Sequence, residues 1–572
     1  MRNPPRFLAH LLLFTLLAVT GTWLWLRHAT AWDLGGRSPV LSYDAAQYAV
    51  AARELALRGR FATTFALPIE LARHPSPPWP LALVQPGLVI SEAALIHLVP
   101  EKTRIIEGRS WEIVRPDQLE WVVLVLPFIG YIVIAVGFGL AGSYLIRRLA
   151  PGLGTAARAA AGLVLGLAFL LDPEAQHYAV GGFTELPFTL GLCGALAALA
   201  LGAAPRRPLL FGILLGLTGA FRGTMLWLAP ILAIGNAAAA DGRRFRTLVV
   251  TLIGYALPLL PWWLYKWHAF GNPAWDLSAL SVWDGVQGRT WFSLFHLAAP
   301  PDLPRGMASI TLLGAKTARN LPAVALALAT GVHPLLLGAL TVWAIAARDA
   351  ARAVRAAAGT LLALLLVSLL ATAVSVPQLR YLFPVRVLVD AAGLLALWDL
   401  IRRTGALTVP LRRALTALAT LLVLGWGVHL TVVGEAEARD TSKERGTPAT
   451  LTLLQIASIM NREIPAGEPV MSNLGPVLAW ESRRPVIHLA LSPDELDACR
   501  RRVDFRRVLL VFRDPAHAWP EWSGVIARPT DALHHAEWNV KHVREYRTAD
   551  GFRLIWLDLG PLGPELATTG SR

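Results

Sequence analysis

Two carboxylates and two guanidiniums stand where charge is out of keeping with its surroundings. Asp44, in Ser42-Tyr43-Asp44-Ala45-Ala46-Gln47-Tyr48, lies just beyond the first hydrophobic span. It opens a surface helix read over 43–58 and ended by Gly59, with Asp44, Gln47 and Tyr48 three and four apart on one face. A carboxylate there can take a proton from a nucleophile, although the helix macrodipole alone also favours an acid in a first turn. Glu185, in Gly181-Gly182-Phe183-Thr184-Glu185-Leu186-Pro187, opens another apolar span, after glycines that permit a tight backbone path. Arg222 lies within an apolar stretch, where an unpaired charge costs several kcal/mol and marks a functional candidate. A guanidinium facing a cavity is a ready phosphate ligand. Arg380-Tyr381 precedes a further span on the side that arginine otherwise avoids. Arg73 and His74, before Pro75-Ser76-Pro77-Pro78-Trp79-Pro80, are weaker members of the same set. Proton acceptance beside anion binding is the chemistry these residue types could perform.

The elements that must position them are mostly apolar helices. Of 572 residues, 55% are hydrophobic and only 16% charged, with mean hydropathy +0.49. Soluble proteins carry about 25% charged residues, so lipid solvates most of this chain. Apolar spans read as 7–26, 119–146, 155–171, 183–204, 208–237, 246–265, 321–347, 356–376, 381–401 and 411–433. A net charge of +14 would suggest a polyanion partner in a soluble protein. Here the arginines gather in short loops between spans, which is an orientation signal and sets nucleic acid aside. Arg2 and Arg6 precede a first apolar run too long for a signal peptide, which reads as an uncleaved span. Cys193 and Cys499 lie in regions of different character, so no disulfide between them and no metal cluster is expected. No P-loop, Rossmann fingerprint or His-x-x-x-His pattern occurs.

Arginine sets the sides. Arg147, Arg148 and Arg158, then Arg206 and Arg207, then Arg348, Arg352 and Arg355, then Arg402, Arg403, Arg412 and Arg413 mark cytoplasmic loops. The acidic turn from Asp172 to Glu185 and the long segments 27–118 and 266–320 fall outside. Segment 208–237 has arginines at both ends, so one straight helix would flip every later loop. The alternation survives if it is a hairpin broken at Phe221-Arg222-Gly223. Each arm then spans roughly 20 Å, short of the ~30 Å bilayer core. This gives about eleven passes, with the N-terminus inside and the C-terminus outside. The fold class expected is an α-helical polytopic membrane protein: a transmembrane unit over 1–440, then a small α/β extracytoplasmic domain over 441–572. Strands are expected at 470–473, 508–512 and 552–557, and a helix at 495–502. Pro261-Trp262-Trp263, Trp267, Trp283 and Trp291 read as interfacial anchors, the last two also as wall material for a lipid or sugar groove.

Six local features, in order, resemble the GT-C membrane glycosyltransferases, specifically the branch of protein O-mannosyltransferases and lipid A aminoarabinose transferases. They are Tyr43-Asp44 through Tyr48, Pro77-Pro78-Trp79-Pro80-Leu81, Thr184-Glu185-Leu186-Pro187-Phe188, and Gly216 through Gly223. Leu260-Pro261-Trp262 with Phe270-Gly271-Asn272-Pro273, and Arg380-Tyr381-Leu382-Phe383-Pro384, complete the set. The resemblance implies a polyprenyl-phosphate-linked sugar as donor, a glycan, lipid or protein as acceptor, and inversion at the anomeric carbon. It further implies that Asp44 acts as base or orients the acceptor, with Glu185 as the second outer acid. Arg222 would contact the donor phosphate, with Arg380 and Tyr381 near the donor. Related enzymes place a basic residue immediately before the Pro-Pro pair; this chain has Ser76 there, and Arg73 or His74 would substitute. Asp44 and Glu185 could also hold a divalent metal ion, although nothing in the sequence sets a ligand geometry. The competing class is a polytopic lipid or sugar transporter or flippase, which would explain the spans and Arg222. Such proteins often carry broken helices in repeated halves, and no second copy of the 208–237 break is seen.

Overall fold

A computed structural model describes residues 4–32, 42–99, 102–108, 111–117, 119–150, 152–331, 333–444, 450–513, 519–534, 538–548 and 550–561. Helix α1 (Pro4–Ala31) is followed by α2 (Tyr43–Arg58), α3 (Pro86–Leu98), α4 (Leu119–Leu149), α5 (Thr155–Leu170) and α6 (Pro173–Val180). Then come α7 (Glu185–Ala200), α8 (Pro208–Gly219), α9 (Met225–Ala239), α10 (Arg244–Phe270) and the short α11 (Trp291–Phe295). The helical part continues with α12 (Met307–Gly331), α13 (Pro334–Ala346), α14 (Arg352–Val374), α15 (Phe383–Arg403) and α16 (Val409–Glu444). Among the described residues, five helices are long and apolar enough to cross a membrane, or up to seven if each bent pair is one span. Leu8, Leu12, Trp227, Ile253, Leu264, Leu421 and Val432 point outward from the bundle. An apolar outer shell of this kind is what lipid requires.

The segment 208–237 is two helices joined at 220–224, and their contacts show that they run antiparallel. Gly212 of α8 and Asn236 of α9 both meet Thr251 of α10, Asn236 Nδ2 donating to Thr251 Oγ1 at 3.0 Å. At the other end Gly219 lies against Met225 and Tyr255. A Cβ on Gly212 would lie 2.1 Å from the Thr251 carbonyl oxygen, and one on Gly216 would lie 2.4 Å from that of Tyr255. Glycine at these two positions is what lets α8 lie directly on the α10 backbone. The stretch 321–347, expected as one span, is instead parts of α12 and α13, set at 99° to each other. Pro334 at the first helical position of α13 fits such a break, because it cannot supply an amide to a continuing helix.

The arginine-rich loops meet at the end of the bundle opposite Glu185. Arg352 pairs with Asp241 at 2.6 Å, Arg403 with Asp349 at 2.6 Å, and Arg148 Nη2 donates to the Leu201 carbonyl at 3.5 Å.

The C-terminal region contributes α17 (Thr450–Glu463), α18 (Gly475–Ser482) and α19 (Pro493–Arg500) around a sheet. Short strands β1 (Ala62–Thr63), β2 (Phe65–Ala66) and β3 (Trp79–Pro80) belong to the first long loop, as does the hairpin of β4 (Lys102–Gly108) and β5 (Trp111–Asp117). The main sheet has the order β2-β7-β6-β8-β10-β9, with β6 (Val470–Ser472), β7 (Val486–His488), β8 (Arg507–Phe512), β9 (Val540–Arg547) and β10 (Arg553–Leu559). Its edge strand β2 thus comes from the first loop, pairing in parallel with β7. Helix α2 is not a surface helix: Ala46, Ala49, Val50, Ala51 and Ala52 are buried in one core with Leu478, Ala479 and Trp480. Arg53 of α2 donates to the carbonyls of Trp480 (2.7 Å) and Ala479 (3.0 Å), locking the two parts together.

Candidate active site

Local chemistry places Asp44. Ser42 caps α2, its hydroxyl accepting from Ala45 N at 3.2 Å and donating to the Gly181 carbonyl at 3.1 Å. The helix therefore begins against the Gly181-Gly182 turn that leads into α7. Gly182 has φ +66°, and a Cβ there would lie 2.7 Å from the Ala45 Cβ. A side chain at 182 would be both strained and in collision, so glycine lets the Asp44 and Glu185 backbones approach.

Four charged side chains from four parts of the chain then form one chain of contacts. Glu185, the first residue of α7, is fully buried. Arg222, from the turn between α8 and α9, brings Nη1 to within 2.6 Å of Glu185 Oε1. Arg380, in the 3₁₀ turn Leu379–Tyr381 before α15, places Nε 3.0 Å from the same oxygen. Its Nη2 lies 2.8 Å from Asp44 Oδ2. The inner pair is dry and the outer pair wet: the Arg222 side chain is 10% exposed, those of Arg380 and Asp44 33% and 36%. The Arg222–Glu185 contact is close but poorly angled for a hydrogen bond, and Glu185 Oε2 meets no donor among the described residues. A buried carboxylate oxygen without a protein donor is costly.

Aromatic rings frame the quartet. Tyr381 lies 5.5 Å from the Arg222 guanidinium and 5.8 Å from that of Arg380. Phe183 flanks Arg380 at 5.4 Å. Tyr48 lies one turn beyond Asp44, its hydroxyl paired with Thr184, and burial holds that phenol well above its ordinary range, so it stays a hydrogen-bond donor. The Arg222 turn is held from outside: Gly87 N donates to the Ala220 carbonyl at 2.7 Å, and a Cβ on Gly87 would sit 2.7 Å from that oxygen. Gln85 accepts from Trp262 Nε1 at 3.1 Å and donates to Asp276 at 3.3 Å.

The structure thus brings Asp44, Glu185, Arg222, Arg380, Tyr381 and Tyr48 together. Arg73 and His74 are placed elsewhere. Arg73 donates to the Phe270 carbonyl at 3.0 Å and lies over Trp275 at 4.0 Å, while His74 packs on Phe270 at 5.5 Å. Neither forms an ion pair with the quartet. Among the described residues no group of three or more His, Cys, Asp or Glu side chains gathers as a metal site, and the Arg380 guanidinium bridges Asp44 and Glu185.

Sequence reasoning passed over the support behind Asp44. Its neighbour Tyr43 packs against Phe65 (5.7 Å) and His488 of β7 (5.3 Å). His488 Nδ1 lies 3.0 Å from His296 Nε2, and the His488 ring stacks on Trp519 at 5.7 Å. Burial lowers His296 to about 4 and His488 well below the ordinary imidazole range, so both rings are neutral at pH 7. No sequence signal joins positions 43, 296 and 488; only Tyr43, inside the Asp44 motif, stood in a segment singled out for chemistry.

No protein-family model matches the chain, and no curated protein matches it in sequence. Solved structures do match. The crystal structure of ArnT from Cupriavidus metallidurans bound to undecaprenyl phosphate is similar at 13% identity, over 96% of this chain and 99% of that one, with a TM-score of 0.50. The apo state of the same protein is similar at 15% identity, over 96% and 98%, with a TM-score of 0.47. The chain shares its overall fold with that protein.

Proposed function

We propose that this protein moves a sugar from a polyprenyl-phosphate-linked donor to an acceptor at the outer face of the cytoplasmic membrane, by inverting displacement. The observation that carries the reading is the contact chain Asp44–Arg380–Glu185–Arg222 at one end of the bundle. The likeness in fold to a protein crystallised with undecaprenyl phosphate supports the lipid carrier. In the reaction, an acceptor hydroxyl oxygen bonds to the anomeric carbon, the bond from that carbon to the phosphate oxygen breaks, and its electron pair leaves on the polyprenyl phosphate. The hydroxyl proton passes to the Asp44 carboxylate. The Arg222 and Arg380 guanidiniums meet the charge growing on the phosphate.

The geometry suggests an order of events. Arg380 holds Asp44 at the wetter end of the quartet, and an arriving phosphate competes for that guanidinium. Once Arg380 turns to the phosphate, Asp44 is released to accept the acceptor's proton. Glu185, buried under both arginines, holds them in place and does not itself need to titrate. The orientation follows from charge: arginine loops collect at the end opposite the quartet, and such loops face the cytoplasm. The C-terminal sheet, packed on α2, then lies outside.

The test is lipid retention. Protein purified in native-lipid nanodiscs should carry polyprenyl phosphate detectable by mass spectrometry, and Arg222→Gln/Arg380→Gln should lose it. A wild-type protein that neither retains this lipid nor binds it when added would defeat the reading.

A further inference from the structure

Beyond the Arg222 turn lies a cavity of about 380 Å³, between the first long loop and the segment after α10. It falls within the roughly 300–1,000 Å³ of small-molecule sites. The wall it shares with the Arg222 turn is Asp276, whose Oδ2 accepts from Gln85. A Cβ on Gly223 would lie 3.2 Å from Gln85 Nε2 and 3.4 Å from Asp276 Oδ2, so the cavity and the arginine turn are separated by one layer of side chains.

Its lining is chemically mixed. Trp283 forms part of the wall and engages no aromatic ring or cation among the described residues, leaving a flat apolar face. Trp275 and His74 also belong to the lining. Glu70 uses Oε2 to accept from Leu67 N at 2.7 Å and also lines the cavity. Burial pushes the Glu70 carboxyl up to about 7, so near neutral pH it can donate or accept. Arg73, the arginine of the lining, is already committed to the Phe270 carbonyl and the Trp275 face. A phosphate would meet the Glu70 and Asp276 carboxylates with no free arginine. A sugar ring needs this combination: an indole against its C–H face and short-range donors and acceptors for hydroxyls at its edge.

We propose that this cavity is a sugar-binding subsite, with a ring lying on Trp283 and its hydroxyls met by the Glu70 and Asp276 carboxyl groups. Its role rests on the glycosyl-transfer reading above; its affinity for sugar does not. Either the donor's sugar or a sugar of the acceptor would satisfy the chemistry.

The experiment is saturation-transfer NMR on the full chain in nanodiscs, with free glucose, mannose, galactose, N-acetylglucosamine, arabinose and maltose as probes. At least one probe should be saturated by the wild type. The signal should fall about fivefold or more in Trp283→Ala and in Glu70→Gln, and persist in Trp283→Phe. Adding polyprenyl-phosphate mannose to the nanodisc separates the sources: displacement of the probe assigns the donor's sugar, persistence the acceptor's. Silence of all six probes, or an unchanged signal in a folded Trp283→Ala or Glu70→Gln, overturns the proposal. Sugar binding without any glycosyl transfer would leave the subsite standing and remove only the transfer reading.

Discussion

Glu185→Gln separates the two acids of the quartet by what each is for. In the folded protein Glu185 is fully buried and its Oε1 serves both guanidiniums, at 2.6 Å and 3.0 Å. Removing its charge leaves Arg380 with Asp44, and Arg380 is one-third exposed, so water also helps it. Arg222 is 10% exposed and has no other carboxylate partner among the described residues. Breaking a buried pair by removing one partner costs about 3–5 kcal/mol, and nearly all of it falls on Arg222. Asp44→Asn, by contrast, breaks a pair exposed by about a third, worth about 0–1 kcal/mol. The double variant Glu185→Gln/Arg222→Gln removes the orphaned charge and should recover about 0.5–3 kcal/mol relative to simple addition. The assay is equilibrium unfolding in mixed micelles by SDS titration, read by near-ultraviolet circular dichroism. If Glu185→Gln proves no more destabilising than Asp44→Asn, or if the double variant is fully additive, the assignment of Glu185 as holder of the arginines is wrong.

Two further outcomes follow from the support around the site. His488 and His296 are neutral because burial lowers them, and in the unfolded chain both take protons below about pH 6.5. The unfolded state therefore binds more protons as pH falls from about 6.5 to 4, and stability drops by up to ~1.4 kcal/mol per pH unit for each ring; His488→Phe should flatten that slope in pH-dependent unfolding. Gly87→Ala forces a methyl to within van der Waals overlap of the Ala220 carbonyl, costing about 1–3 kcal/mol. Displacement of the Arg222 turn should then lower kcat more than it raises the donor KM, measured by steady-state transfer.

Much of the site was legible because its signals are local. The bounds of α2 follow from a capping Ser42 and a closing Gly59 at φ 65°, both within one turn of the helix they end. The break at Phe221-Arg222-Gly223 follows from one charge in an apolar run and arginines at both flanks, which only a hairpin reconciles. The buried state of α2 was not legible: its alanines are as compatible with water as with the core, and what covers them, α18, lies over 400 residues on. The same distance hides β2 in the C-terminal sheet and the contact of Tyr43 with His488. Arg73 and His74 were read beside the quartet from their nearness to Pro77-Pro78, yet the chain carries them to Phe270 and Trp275. The break between α12 and α13 was masked by apolar residues on both sides of Pro334.

The central claim is that Asp44 takes the acceptor's proton while the arginines meet a departing lipid phosphate. It is tested by release of free polyprenyl phosphate from lipid-linked sugar in vesicles that also contain native membrane extract as the source of acceptor, followed by mass spectrometry, in wild type and in Asp44→Asn. General-base loss predicts a fall in kcat of about 10²–10⁴-fold, or ~2.7–5.5 kcal/mol in the barrier, with the fold and lipid binding retained. Release by Asp44→Asn within threefold of the wild-type rate, or no release by the wild type, would contradict it.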